Sequence, residues 1–175
     1  MIVCCDNCYG IGKNNTLPWN IPSEMKHFKD KTIGSKNNCV IMGKNTFLSI
    51  PSKYAPLIHR HNVVITRDKT IRDKYKNDSR ITILSSPDEI MSFYRNTSYN
   101  DYWIIGGKML YEHTMKSFAC EIKEIHISFL KQTYDCDVFL NIEEELHKDY
   151  SLKEETKYQD FDVKVFIMRQ NMDCP

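Results

Sequence analysis

Apolar positions along the chain follow two different periods. Five short, nearly continuous runs stand out: Ile2-Val3-Cys4-Cys5, Cys39-Val40-Ile41-Met42, Asn62-Val63-Val64-Ile65, Ile81-Thr82-Ile83-Leu84 and Tyr102-Trp103-Ile104-Ile105. Runs of this kind predict strands buried on both faces of a mainly parallel sheet. Further on, Ile125, Ile127 and Phe129 alternate with polar residues, and so do Phe161, Val163, Val165 and Ile167. That period predicts antiparallel strands with one wetter face, an edge hairpin. Helices fill the gaps. Ile21, Met25 and Phe28 have helical spacing, which predicts a helix from about Pro22 to Lys31. Ser86-Pro87-Asp88-Glu89 predicts another start, with Ser86 as cap, Pro87 in the first turn and Glu89 completing a capping box. A third helix is expected after Gly106-Gly107 and a short one after Gly43. No linker or repeat divides the chain, so the pattern predicts one α/β domain, a twisted sheet flanked by helices.

Composition narrows the function classes. At 175 residues the chain can bury a sizeable core. A net charge of +1 offers no basic field for nucleic acid or an anionic membrane. No apolar run is long enough to cross a bilayer, and the start lacks the basic and apolar segments of a signal peptide. Seven cysteines, several of them inside apolar runs, point to a reducing, cytoplasmic compartment rather than a disulfide framework. Cys5 and Cys8 form a CxxC, but no second pair completes a zinc site, so no metal is expected.

Candidate chemistry sits where strands end. Gly43-Lys44-Asn45-Thr46 and Gly106-Gly107-Lys108-Met109-Leu110 each follow a strand directly. Such turns expose backbone N–H groups to an anion. Thr66-Arg67 ends another strand and adds a cation. Gly10-Ile11-Gly12 is not a dinucleotide fingerprint, because no third glycine and no spaced acid follow. Residues 6 to 20 form a long connection, a length that is usually functional. Taken alone, Glu24 reads as an acid complementing a helix N-terminus, and Arg60, in His59-Arg60-His61, as a solvated cation.

Four segments change these readings. Gly10-Ile11-Gly12-Lys13-Asn14-Asn15-Thr16-Leu17-Pro18-Trp19 precedes a helix bearing Glu24 and Phe28. Val40-Ile41-Met42-Gly43-Lys44-Asn45-Thr46-Phe47 runs into Ser49-Ile50-Pro51. Pro56-Leu57-Ile58-His59-Arg60-His61-Asn62 leads to Thr66-Arg67. Trp103-Ile104-Ile105-Gly106-Gly107 is followed by Tyr111. In this order and spacing they resemble the dihydrofolate reductase family, in its eukaryotic-like type, over residues 1–170, with 171–175 as a tail. Ile127-Ser128 and Asp137-Val138-Phe139 add a weaker match.

The resemblance implies a twisted, mainly parallel eight-stranded sheet with a C-terminal antiparallel hairpin, and NADPH-dependent reduction of dihydrofolate to tetrahydrofolate. It implies a catalytic set of Glu24, Trp19, Leu17 and Ser128. Val3, Cys4, Met25, Phe28, Ser49, Ile50, Leu57, Arg60, Ile105 and Tyr111 join Glu24 and Ser128 around the substrate. Cys4, Ile11, Gly12, Gly43, Lys44, Asn45, Thr46, Thr66, Arg67, Ile105, Gly106, Gly107, Lys108, Met109 and Leu110 hold the cofactor. Glu24 would take the pterin through two hydrogen bonds, with Ser128 bridging, and Arg60 would grip the glutamate tail of folate. As a binding residue Arg60 is expected to be mostly solvated when empty. Arg67 and Lys44 would meet the 2′-phosphate, the Gly106-Gly107 bond would be cis, and residues 6 to 20 would form a lid. Antifolates are the implied inhibitors, and a monomer the implied state unless the chain belongs to a fusion with thymidylate synthase. A riboflavin-pathway reductase of similar fold is the alternative, disfavoured by the Leu17-Pro18-Trp19 loop. Cys4, Phe47 and Ser128 depart from the family's usual Ala, Trp and Thr.

Overall fold

In the computed structural model, which describes residues 1–169, strands and helices alternate as the apolar periods require. The expected tail at 171–175 lies outside the described residues. In chain order the first half comprises β1 (Ile2–Cys5), β2 (Gly10–Gly12), α1 (Pro22–Ile33), β3 (Asn38–Gly43), α2 (Lys44–Ser49), β4 (Arg60–Ile65), α3 (Lys69–Tyr75) and β5 (Ile81–Leu84). There follow α4 (Glu89–Arg95), β6 (Tyr102–Gly106), α5 (Lys108–Ser117), β7 (Glu124–Leu130), β8 (Val138–Phe139), α6 (Glu143–Asp149), β9 (Tyr150–Lys157) and β10 (Phe161–Met168). These elements form two compact units: one from residues 1–25 and the chain from Tyr111 onward, the other from Lys26–Leu110.

The unit of Lys26–Leu110 holds a wholly parallel sheet in the order β5-β4-β3-β6. Val40, Val63 and Val64 are fully buried, as β-branched residues packed on both faces should be. Register pairs Gly43 with Ile65 and Met42 with Gly106, so the carboxyl ends of three strands finish together. Ligands of open α/β sheets bind at such ends. The β4–α3 turn is held by Asp68, whose carboxylate accepts from Thr70 N at 2.9 Å and caps α3.

In the other unit the order is β1-β7-β10-β9, with β1 parallel to β7 and the remaining pairs antiparallel. A small antiparallel pair, β2 with β8, lies in the long connection after β1. The fold is thus mixed α/β with a mostly parallel strand arrangement and a C-terminal antiparallel hairpin, β9–β10. Among the described residues ten strands pair as two ladders of four and the small β2–β8 ladder, where eight strands were expected.

Three local expectations need correcting. The edge hairpin is β9–β10, not β7–β10: β7 is interior, and its supposedly wet positions His126 and Ser128 are buried. The charged run of β9 carries no apolar period, because an edge strand keeps most of its side chains in water. Regular α4 begins at Glu89, three residues after Ser86; the Ser86 hydroxyl still accepts from Asp88 N, while Glu89 reaches back to Ser85 N rather than to Ser86. Among the cysteines, Cys4, Cys5, Cys8, Cys39 and Cys136 are free, whereas Cys120 is disulfide-bonded, a departure from the all-thiol expectation.

The connection after β1 is organised by Asp6, a fully buried carboxylate. It accepts from Cys8 N and Gly10 N at 2.8 Å each and from Tyr134 N at 2.9 Å. Gly10 leaves no room for a side chain: an added Cβ would lie 2.6 Å from Cys136 Sγ, 2.8 Å from Cys136 Cβ and 3.0 Å from Asp6 Oδ1. Gly10→Ala should therefore cost about 1–3 kcal/mol by overpacking. Chemical denaturation checks this; an unchanged midpoint would mean that the loop yields freely.

Candidate functional site

Each unit carries part of the predicted site. In the unit containing β1 and β7 the centre is Glu24, in the first turn of α1. Pro22 suits that first turn, where its missing N–H has no helical partner to lose. Glu24 is buried, 4% exposed, and no cation pairs with it among the described residues. Burial raises its pKa above the usual carboxylate value, and hydrogen bonds from Ser128 and Cys4 lower it in part. Burial is the largest cause of the shift, and it acts in the direction expected for a carboxyl taken out of water. Ser128 is 1% exposed on β7, opposite Cys4 on β1.

Trp19 is buried with Ile21, Leu130, Phe161, Val163 and Val165, and its ring lies 5.3 Å from that of Tyr134. Cys4 packs against the same cluster. The Trp19 indole N–H has no acceptor among the described residues. Tyr111 is buried, and its hydroxyl donates to Ile2 O at 2.8 Å, which ties α5 to β1. Val3 is buried on β1, whereas Leu17 and Met25 are about half exposed, at 49% and 46%. Ile11 and Gly12 belong to β2, and a Cβ on Gly12 would come within 3.2 Å of Thr16 O.

In the unit of Lys26–Leu110, Arg60 is the centre. It is 8% exposed, contrary to the expectation of a solvated guanidinium. Nε donates to Ile58 O at 3.2 Å, Nη1 donates to Thr32 Oγ1 at 2.7 Å, and the group lies 6.0 Å from the Phe28 ring centroid. Burial pushes its pKa down to about 10, so it is still charged near neutrality, with no carboxylate to neutralise it among the described residues. A buried cation held by two neutral acceptors is set up to receive an anion. Leu57 is half-buried and clamped by Asn62, which accepts from Leu57 N and donates to Leu57 O, both at 2.9 Å. Ile50 ends α2, and the Ser49 hydroxyl donates to Thr46 O at 2.7 Å.

The strand ends of this unit assemble most of the predicted cofactor residues. The Gly106-Gly107 bond is cis, as the resemblance implies. A Cβ at Gly43 would approach Gly107 N at 3.8 Å and Gly106 O at 3.9 Å, and one at Gly107 would meet Thr46 Oγ1 at 3.2 Å. The two glycine turns therefore approach each other closely, with the Thr46 hydroxyl against Gly107, a cradle suited to a phosphate approaching peptide N–H groups. Thr66 is buried, and its hydroxyl accepts from Asp68 N. Ile105 and Leu110 are buried, Lys108 is half-buried, and Asn45, Arg67 and Met109 are exposed. Lys44 is less available than the sequence suggests: its Nζ lies 3.4 Å from an Asp68 carboxylate oxygen.

Several contributors escape sequence reading. Thr32 and Asn62 hold Arg60 and Leu57, and Asp6 orders the loop. Asp68 neutralises part of the Lys44 charge. Thr32 has a faint signal, lying four residues after Phe28 on one helical face. No group of three His, Cys, Asp or Glu able to hold a metal occurs among the described residues.

The family model for dihydrofolate reductase matches residues 1–170. The chain belongs to the dihydrofolate reductase family. That excludes the riboflavin-pathway alternative as the family assignment. The dihydrofolate reductase of Drosophila melanogaster is 32% identical over 143 residues, covering 79% of this chain and 76% of its own. That of Aedes albopictus is 28% identical over 179 residues, covering 98% and 89%. Bifunctional dihydrofolate reductase-thymidylate synthase 2 of Arabidopsis thaliana is 34% identical over 148 residues, or 80% of this chain. The chain spans about a quarter of the length of the bifunctional relatives it matches, 26% in that case. Within this dihydrofolate reductase family member, the matched region takes in Glu24, Arg60 and the Gly106-Gly107 turn alike.

Proposed function

We propose that this protein reduces 7,8-dihydrofolate to tetrahydrofolate with NADPH, as one domain over residues 1–170. The observation that carries the reading is Glu24: a buried carboxyl with a raised pKa, bonded by Ser128 and lacking a cation, in a member of this family. A pterin edge offers an adjacent amino group and ring N–H, which match the two oxygens of such a carboxyl. Because burial favours its protonated form, Glu24 holds a proton closer to neutrality than an ordinary carboxyl does, as delivery to a ring nitrogen requires. The buried, unpartnered Trp19 N–H is a further donor for the ligand or the proton path. When bound, NADPH supplies the hydride. Gly43–Thr46, Thr66, Arg67 and Gly106–Leu110 would hold its phosphates and ribose. Ile11, Gly12 and Cys4 remain proposed contacts of the nicotinamide end, with residues 6–20 as lid. Phe28, Ile50, Leu57 and Arg60 would take the benzoyl-glutamate tail, with Val3, Met25, Ser49, Ile105 and Tyr111 as further substrate contacts and Leu17 beside Trp19. Antifolates would compete for the same groups. No helix among the described residues is long and apolar enough to cross a membrane; a cytoplasmic monomer fits the mainly free thiols.

The test is the loss of NADPH absorbance on adding dihydrofolate to the purified protein. No substrate-dependent oxidation would refute the proposal. Cofactor choice has its own test. Arg67→Ala should weaken NADPH about tenfold and NADH little, since only the former carries the 2′-phosphate. Lys44→Ala should do less, because Asp68 already shares that charge. Equal losses for both cofactors would remove Arg67 from this role.

A further inference from the structure

Register places Lys44 and Thr66 side by side, each one residue past the paired ends Gly43 and Ile65 of β3 and β4. Arg67 follows, exposed, and Asp68 caps α3. Three contacts fix Asp68 there. Its N–H donates to Thr66 Oγ1 at 3.0 Å, its Oδ1 accepts from Thr70 N at 2.9 Å, and its Oδ2 lies 3.4 Å from Lys44 Nζ. The Lys44 and Asp68 side chains are 41% and 33% exposed, so water screens the pair only in part. The turn that presents two cations thus holds an anion in place beside them. Capping does not require that charge, because Asn and Ser cap helices about as well as Asp.

We propose that Asp68 is a specificity-determining residue that holds down the preference for a 2′-phosphorylated cofactor. This rests on the reading of Lys44, Thr66 and Arg67 as the 2′-phosphate site. A ribose 2′-phosphate brings a charge of about −1.5 to −2 near neutral pH, as phosphate monoesters do. Asp68 acts on it twice. Its carboxylate engages Lys44, so that cation must be shared with Asp68 or taken from it before it can serve the phosphate. The same carboxylate repels a second anion brought to its neighbours. Neither cost falls on NADH, whose 2′-hydroxyl is neutral and is a group that carboxylates accept from in dinucleotide sites. The site therefore meets the 2′-phosphate with two cations opposed by one built-in anion, and it discriminates less than Lys44 and Arg67 alone would.

The test separates charge from cap. Asp68→Asn removes the charge and keeps the cap, and Asp68→Ser is a second neutral cap. Calorimetric titration with adenosine 2′,5′-bisphosphate and with 5′-AMP reads the 2′-phosphate without any turnover. Both variants should bind the bisphosphate about threefold to tenfold more tightly than wild type, and 5′-AMP as wild type does. The preference for NADPH over NADH should rise by the same factor. The gain should shrink as salt is raised from about 0.05 to 0.5 M, since exposed charges are screened; a repacked turn would not respond to salt. Lys44→Ala should cost more bisphosphate affinity in the Asp68→Asn background than in wild type, because the lysine has then lost its competing partner. Unchanged bisphosphate affinity in both variants, or equal gains for both nucleotides, overturns the proposal. Failure of the cofactor reading looks different: Arg67→Ala and Lys44→Ala would then bind both nucleotides as wild type does, and the proposal would fall with it.

Discussion

Glu24→Gln should lower turnover of dihydrofolate by about a hundredfold to ten-thousandfold, the usual range for a positioned acid–base group. The same variant should be more stable than wild type at neutral pH. Gln matches the shape and hydrogen bonding of the neutral carboxyl but cannot ionise. In the wild type the folded-state pKa lies above the ordinary 4.5. Below that ordinary value both folded and unfolded chains are protonated, and no buried charge exists. As pH rises through 4.5 and on through the raised folded value, the folded state binds the extra proton, so wild-type stability falls with pH. Above both values the deficit is constant. Melting curves from acid to neutral pH should therefore diverge, with Glu24→Gln gaining as pH increases, while its kcat is lowest at neutral and alkaline pH. Retained kcat would remove Glu24 from the chemistry; parallel melting curves would mean that its charge is well solvated.

Arg60→Ala should raise KM for dihydrofolate about tenfold to a hundredfold, from the loss of a charge-assisted pair contributing about 1.5–3 kcal/mol. A diaminopyrimidine inhibitor without a glutamate tail should bind nearly as before, since it has no carboxylate for the guanidinium. Burial changes the expectation for stability. A solvated Arg60 could be removed without cost, but here Thr32 Oγ1 and Ile58 O lose their donor and Phe28 loses its cover. Relief of the desolvated charge works in the opposite direction. With two hydrogen bonds against one partly desolvated cation, a net loss of about 1 kcal/mol is expected. Equal weakening of both ligands, or unfolding at assay temperature, would leave Arg60 a structural residue only.

These two residues also show how far the sequence can be read. The strands and the main helices were legible because their apolar period is local: β1, β3, β4, β5 and β6 stand within a residue or two of the expected runs. The edge strand β9 and the short α3 and α6 were not, since elements facing water need no apolar stripe. Family motifs placed Glu24, Ser128, Arg60 and the Gly106-Gly107 turn, because the order and spacing of motif residues are themselves properties of the sequence. Partners did not show. Thr32 lies 28 residues from Arg60, Asp68 lies 24 from Lys44, and Tyr134 lies 128 from Asp6.

What the sequence determined alone was therefore the buried strands and main helices, the family and the chemical types at the site. Those follow from local period and from fixed spacing, which chain connectivity preserves. Tertiary structure decided the charge states and the neighbours. Burial raises Glu24 and lowers Arg60, and strand register brings Cys4 opposite Ser128 and Asp68 within reach of Lys44. Desolvation and pairing depend on which distant segments pack together, and a carboxyl or guanidinium takes its pKa from that surrounding rather than from its place in the chain.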